Sequence, residues 1–195
     1  MPPPCAGGDI DRQCAAGSGT TTLSSCAERI QHPILPTWNG ESEILILGSF
    51  PSVKSREMAY FYGHPQNRFW KVLSVLFEEE IPGTAEGRRA FLLRHRIAAW
   101  DVIAACRITG SSDSSIRDVE ANDLRPILEG APIRKIFTNG KTADRLYRRY
   151  TLPVTGIPAV CLPSTSPANA AWSLDRLAEA WGVIRQKSGE GKHGI

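Results

Sequence analysis

The chain has 195 residues and a formal net charge of +3, and its 22% charged and 42% hydrophobic fractions are those of an ordinary globular protein. That length suits one domain with tails, and no apolar run nears the roughly 18 residues that a membrane-spanning helix needs. The charge permits a nucleic-acid partner without calling for one, and five cysteines with no C-x-x-C pair give no sign of a zinc or iron–sulfur centre.

Residues 1–38 are rich in Gly, Ser, Thr and Pro, which predicts a disordered tail. They lack the basic start and apolar stretch of a secretory signal. Cys5, Cys14 and Cys26 lie there; disulfides are not expected, which points to the cytoplasm. Residues 39–186 form the expected domain, and 187–195 a flexible C-terminal tail.

Within the domain, short apolar runs alternate with amphipathic segments. "EILIL" (43–47) reads as a buried strand, and "NRFWKVLSVLF" (67–77) as a helix with apolar residues at 69, 72, 73, 76 and 77. "RRAFLLRHR" (88–96) is a second helix and "IAAW" (97–100) a second strand. "DVEANDLRPILEG" (118–130) reads as helix, interrupted or restarted at Pro126. "IRKIFT" (133–138) is a third strand, and "KTADRLYRRY" (141–150) a helix with Ala143, Leu146, Tyr147 and Tyr150 on one face. "AVCL" (159–162) is a fourth strand, and "SLDRLAEAWGVI" (173–184) closes as a helix capped by Ser173. The alternation predicts an α/β fold, a three-layer α/β/α sandwich with a central four-stranded parallel sheet.

The segments that follow the strands share a character. They are "GSFPS" (48–52), Asp101, "TNG" (138–140) and "PSTSPAN" (163–169). Each alone is ordinary turn chemistry. A parallel sheet brings all its carboxyl ends to one edge, so the four together predict a single crevice.

"GSFPS" followed by "GHPQNRFWKVL" (63–73), then "WDVIAACRITGSSDSSI" (100–116) and the "SPAN" loop (166–169), resemble the uracil-DNA glycosylase superfamily. The likeness is to its hypoxanthine-DNA (deoxyinosine) glycosylase branch, with similarity to mismatch-specific uracil and thymine glycosylases. It covers about positions 40–186. The resemblance implies a monofunctional glycosylase acting on DNA, with no metal or cofactor and no membrane. The target base leaves the stack, and the site stabilises a sugar cation and a departing base while holding a water beneath the sugar.

Roles follow from the resemblance, position by position. Most of the superfamily has a water-orienting Asp or Asn where this chain has Phe50, whose ring cannot hydrogen-bond a nucleophile. Asn67 is the nearest replacement, its amide accepting from water, with Gly48 and Ser49 sharing the task. Tyr62 falls where relatives stack an aromatic on the base. Asp101 stands at the base-reading position. Its carboxylate would accept from the ring N–H that hypoxanthine and uracil share and repel the lone pair that adenine and cytosine present there. Phe50 and Ser164 complete the base site. Ser166, Pro167, Ala168 and Asn169 form the loop that grips the strand, and Lys54 and Arg68 are the phosphate candidates. Lys141, Arg145, Arg148 and Arg149 read as a solvated stripe. From the residues alone, Asn67 reads first as a helix cap, Asp101 equally as a cap or partner of Arg107, and part of the last loop as a Pro-shaped turn. The implied function is excision of hypoxanthine, and of uracil through the same edge, by a monomer. A uracil/thymine mismatch glycosylase, a binding module without chemistry and a hydrolase of free nucleosides stay open as alternatives.

Overall fold

The structure is a computed structural model that describes residues 28–185. The expectations for Cys5, Cys14 and Cys26, for the rest of 1–27 and for the 187–195 tail lie outside the described residues. In chain order the strands are β1 (Glu28–Gln31), β2 (Ile44–Gly48), β3 (Ile97–Asp101), β4 (Ile103–Ile108), β5 (Arg117–Ala121), β6 (Lys135–Asn139) and β7 (Ala159–Leu162). The α-helices are α1 (Val53–Glu57), α2 (Phe69–Phe77), α3 (Ala85–Arg94), α4 (Arg125–Gly130), α5 (Lys141–Leu146), α6 (Leu152–Thr155) and α7 (Leu174–Trp181). A π-helical turn, Tyr147–Thr151, joins α5 to α6.

The central sheet is four-stranded and parallel, in the order β3-β2-β6-β7. Side chains on a strand point alternately to the two faces, and β2 shows what that does here. Ile44 and Ile46 join one core with Phe69, Leu73, Phe91, Leu177 and Trp181 from α2, α3 and α7. Leu45 and Leu47 join the other, with Ile127 of α4, Leu146 of α5 and Tyr147. Both faces are covered, so the strands have no polar side to show solvent. Ser173 caps α7 by accepting from the Arg176 N–H, as a serine at that position should. Among the described residues no helix is long and apolar enough to cross a membrane.

A second, antiparallel sheet of order β1-β4-β5 packs beside the first and was not anticipated. It corrects two expectations. Residues 28–38 are not tail: β1 pairs with β4 from Glu28↔Ile108 to Gln31↔Ala105, and Ile30 packs on the second core. Asp118–Ala121 is strand β5, not helix. Both segments are too short and too polar to carry a hydrophobic period, and pairing with β4 decides their conformation. The connection between β4 and β5 holds a 3-10 turn, Asp113–Ser115, near the carboxyl edge of the large sheet.

Candidate active site

A cavity of about 130 Å³ opens at that edge, several times the ~30 Å³ share of one water in the liquid. The parallel register sets its frame, with Gly48 level with Asp101 and Asn139 level with Leu162. Gly48, Ser49, Phe50, Tyr62, Asn67, Asp101, Ser164 and Ser166 all line it, as do Asn139 and Asp113. The predicted crevice therefore exists, and residues from four separate strand ends share it.

One wall is a closed hydrogen-bond network. Asn139 accepts from the Thr165 N–H and donates Nδ2–H to Thr165 Oγ1, each at 2.9 Å. The Thr165 hydroxyl in turn donates to Asn67 Oδ1 at 2.9 Å. The same oxygen accepts from the Phe69 N–H at 2.9 Å. A backbone N–H only donates, so this oxygen is fixed as an acceptor already in use. That corrects the role expected of Asn67: its free amide hydrogens can donate into the cavity, but it has no free lone pair with which to accept from a water. Arg68 is corrected as well. Its guanidinium holds the carbonyls of Ser166 (2.7 Å), Asn169 (2.9 Å) and Trp172, clamping the 163–172 loop to the head of α2. Such a part-buried fork is a structural tie, not a free phosphate ligand. Asn169 closes the same loop, donating Nδ2–H to the Ser164 carbonyl at 2.9 Å, and Ser164 Oγ accepts from the Ser166 N–H at 3.2 Å.

The opposite wall is acidic. Asp101 is 5% exposed, and its Oδ2 lies 2.8 Å from His32 Nε2, with the imidazole 2% exposed. His32 Nδ1 accepts the Ile34 N–H at 3.2 Å, so Nε2 carries the proton and donates to the carboxylate. Arg107, the partner considered from sequence, pairs with Asp118 at 3.0 Å instead. Asp101 Oδ1 rests against Gly48, where an added Cβ would stand 2.1 Å from it. The glycine is what lets the carboxylate approach the backbone. Tyr62 comes to the same point, its hydroxyl 3.3 Å from that Cβ position. Its φ of 53° is left-handed, a strain that packing sustains. Its ring is stacked on Phe69 at 3.9 Å, so one of its faces is already taken. Its hydroxyl is buried with no hydrogen bond of standard geometry. Burial, then the Asp101 charge, hold the phenol well above its ordinary pKa, with Asn139 pulling the other way. Beyond it, Ser49 Oγ donates to Asp113 Oδ1 at 2.9 Å. Asp113 is an exposed residue at the rim; partial desolvation pushes its carboxyl above the usual range, the Ser49 bond opposes this, the Asp101 charge adds to it, and Arg145 and Thr142 oppose it. Phe50 is buried edge-on to His32 and packs on the second core.

A groove of about 1300 Å³ adjoins the cavity and shares Asp113, Asn139, Ser164 and Ser166 with it. Ala168 and Asn169 line the groove, while Pro167 is an exposed residue of the same loop. Lys141, Arg145 and Arg149 line it too, together with Tyr150. The stripe read as a solvated face is thus divided. Arg148 pairs with Asp144 at 2.7 Å, and the other three face the groove. Lys54 lines neither space; it is exposed and pairs with Glu57 at 2.7 Å.

Residues 36–185 match the family model described as the uracil DNA glycosylase superfamily. The chain belongs to the uracil DNA glycosylase superfamily. A hypoxanthine DNA glycosylase of Methanosarcina acetivorans is 38% identical over 146 residues, 74% of this chain and 91% of that protein. One of Methanosarcina barkeri is 33% identical over 148 residues, 75% of this chain and 92% of that protein. The solution NMR structure of a uracil DNA glycosylase candidate from Methanosarcina acetivorans superposes with a TM-score of 0.68 at 35% identity, covering 80% of this chain and 96% of that one.

Two groups of this superfamily member escaped sequence reasoning. His32 sits just past a polar, low-complexity stretch and before the matched residues 36–185. Only the strand pairing of β1 brings it to Asp101. Asp113 sits in "GSSDSS", a run that reads as loop. The signal available was the β4–β5 hairpin, whose turn returns to the sheet edge, and the helical reading of 118–130 concealed it.

Proposed function

We propose that this protein hydrolyses the N-glycosidic bond of hypoxanthine in DNA, with uracil as a second substrate that presents the same edge. The carrying observation is Asp101, oriented by His32 through one oxygen and left with the other at the cavity wall beside Gly48. Hypoxanthine and uracil both offer a ring N–H next to a carbonyl. The free Asp101 oxygen accepts from the N–H, and the protonated Tyr62 hydroxyl, which converges on the same point, donates to the carbonyl. Adenine and cytosine carry a lone pair where the N–H would be, and a carboxylate repels it. The relatives' names agree with this selection.

The reaction needs the base extruded from the duplex, at a cost of a few kcal/mol that is lower for a mispaired base. The groove supports the path of the strand. Lys141, Arg145 and Arg149 neutralise phosphates along it, and the Ser166 to Asn169 loop, held by Arg68, borders it. The Ala168 methyl offers little wedge, which favours pairs already weakened. As the base departs it gains negative charge, and donors such as the Asn67 amide hydrogens and the Tyr62 hydroxyl stabilise it. Every residue given a role here comes from one chain, and the reading has the protein act as a monomer. It acts in the cytoplasm, where free thiols such as Cys106 and Cys161 persist.

The test offers the full chain labelled oligonucleotides holding a single hypoxanthine, uracil, xanthine, adenine or G·T mismatch, then cleaves abasic sites with alkali. The expected result is cutting at hypoxanthine, slower cutting at uracil and none at adenine. Release of adenine at a comparable rate, or of no base at all while lesion DNA is still bound, would defeat the proposal.

A further inference from the structure

Resting on that functional reading, we infer that Asp113 supplies the proton acceptor for the attacking water. The need is visible in the cavity. Phe50 offers no hydrogen bond at all. The Asn67 oxygen is engaged by the Phe69 N–H and the Thr165 hydroxyl. Asp101 is held by His32 and committed to the base edge. Tyr62 remains a protonated phenol. Among the described residues that line the cavity, Asp113 is the one carboxylate left.

Its placement fits the task. The β4–β5 connection is tied down at two points: Ser111 Oγ accepts the Val53 N–H at 3.0 Å, and Asp113 Oδ1 accepts from Ser49 Oγ at 2.9 Å. Ser115 braces it from within, donating to the Ser112 carbonyl at 2.7 Å and accepting the Thr109 N–H at 2.9 Å. Asp113 lines both the cavity and the groove, so it stands where the base and the sugar–phosphate strand meet. Ser49 holds Oδ1, Thr142 and Arg145 of α5 act on the same carboxylate, and Oδ2 is the oxygen we assign to the water at the sugar. Asp113 is exposed at the rim of the cavity, so water reaches it, and its carboxyl lies above the usual range, which makes it a better base than an unperturbed one. Its negative charge lies near the cation that develops on the sugar.

The step balances. Water oxygen forms the bond to C1′ while its proton passes to Asp113 Oδ2. The bond from C1′ to the glycosidic nitrogen breaks, and its electron pair leaves with the base, which takes a proton from solvent. Asp113 then returns its proton to solvent, leaving a free base and an abasic sugar.

The experiment compares single-turnover excision by wild type, Asp113→Asn and Asp113→Ala on hypoxanthine DNA. Affinity is measured in parallel for a duplex carrying a 2′-fluorinated, uncleavable deoxyinosine, and folding by thermal denaturation. Asp113→Asn is expected to lower the rate by roughly 100-fold or more with analogue affinity and melting unchanged, and formate is expected to restore part of the rate to Asp113→Ala. A rate for Asp113→Asn within about threefold of wild type, or a rate loss matched by an equal loss of analogue affinity, overturns the inference. An active wild type beside an equally active Asp113→Asn removes this inference alone, whereas a wild type that releases no base removes the functional reading beneath it.

Discussion

The two walls of the cavity handle their polar atoms in opposite ways. On the amide side, Asn139, Thr165 and Asn67 are bonded to one another, and Arg68 holds backbone carbonyls of the last loop through its terminal nitrogens, with its Nε left unpartnered. On the acidic side, Asp101, Asp113 and Tyr62 each keep an oxygen that no hydrogen bond of standard geometry occupies. A satisfied network rigidifies, while an unfilled oxygen on the acidic side leaves a place for a ligand to bond. Apart from the Asn67 amide hydrogens, the first wall is the mount, and the second is the tool.

That contrast breaks most directly at Gly48. In Gly48→Ala the new methyl would sit 2.1 Å from Asp101 Oδ1, so the carboxylate must turn away. Misplacement on this scale is expected to lower hypoxanthine excision about 100-fold with little change in urea midpoint. Full activity would mean that Asp101 does not act from its observed position. A smaller loss is expected for His32→Leu, about tenfold or more, since it removes a hydrogen bond to a charged group. His32→Gln, which keeps a donor, should recover part of it. If Leu and Gln behave alike in rate, His32 only fills space.

The mount side predicts the reverse pattern. Arg68→Ala leaves three carbonyls without their partner and is expected to cost about 1.5–3 kcal/mol of stability, read by urea denaturation. Arg68→Lys should not rescue it, because a point charge cannot span the three acceptors. The smallest effects lie outside both walls. Replacing Lys141, Arg145 or Arg149 by Ala should reduce the slope of log affinity against log salt by about one each. Lys54→Ala should leave the slope unchanged, and an equal change there would dissolve the distinction between groove and surface.

The sequence made the parallel sheet and its edge legible because each strand is a bounded apolar run, and "AVCL" coincides with β7 residue for residue. It also placed Asp101, Tyr62, Asn67 and Ser164 at one crevice, where the structure has them. What it hid is the direction in which a side chain is engaged. Nothing local to "HPQNRF" says that the Asn67 oxygen is taken by Thr165, 98 positions on, or that Arg68 turns to the last loop instead of to a phosphate. The small sheet was illegible for a different reason. Its strands β1 and β5 are polar edge segments whose conformation comes from long-range pairing with β4, and such pairing leaves little trace in periodicity.

The edge strand β1 has a bearing on how the working unit is delimited. The family-matched stretch begins at residue 36, four positions after the imidazole that steadies Asp101. A protein trimmed to that stretch would retain every strand of the large sheet and every cavity-lining residue, and would leave a buried anion without its neighbour. On the proposed chemistry, the working unit therefore begins upstream of the stretch that the family model matches.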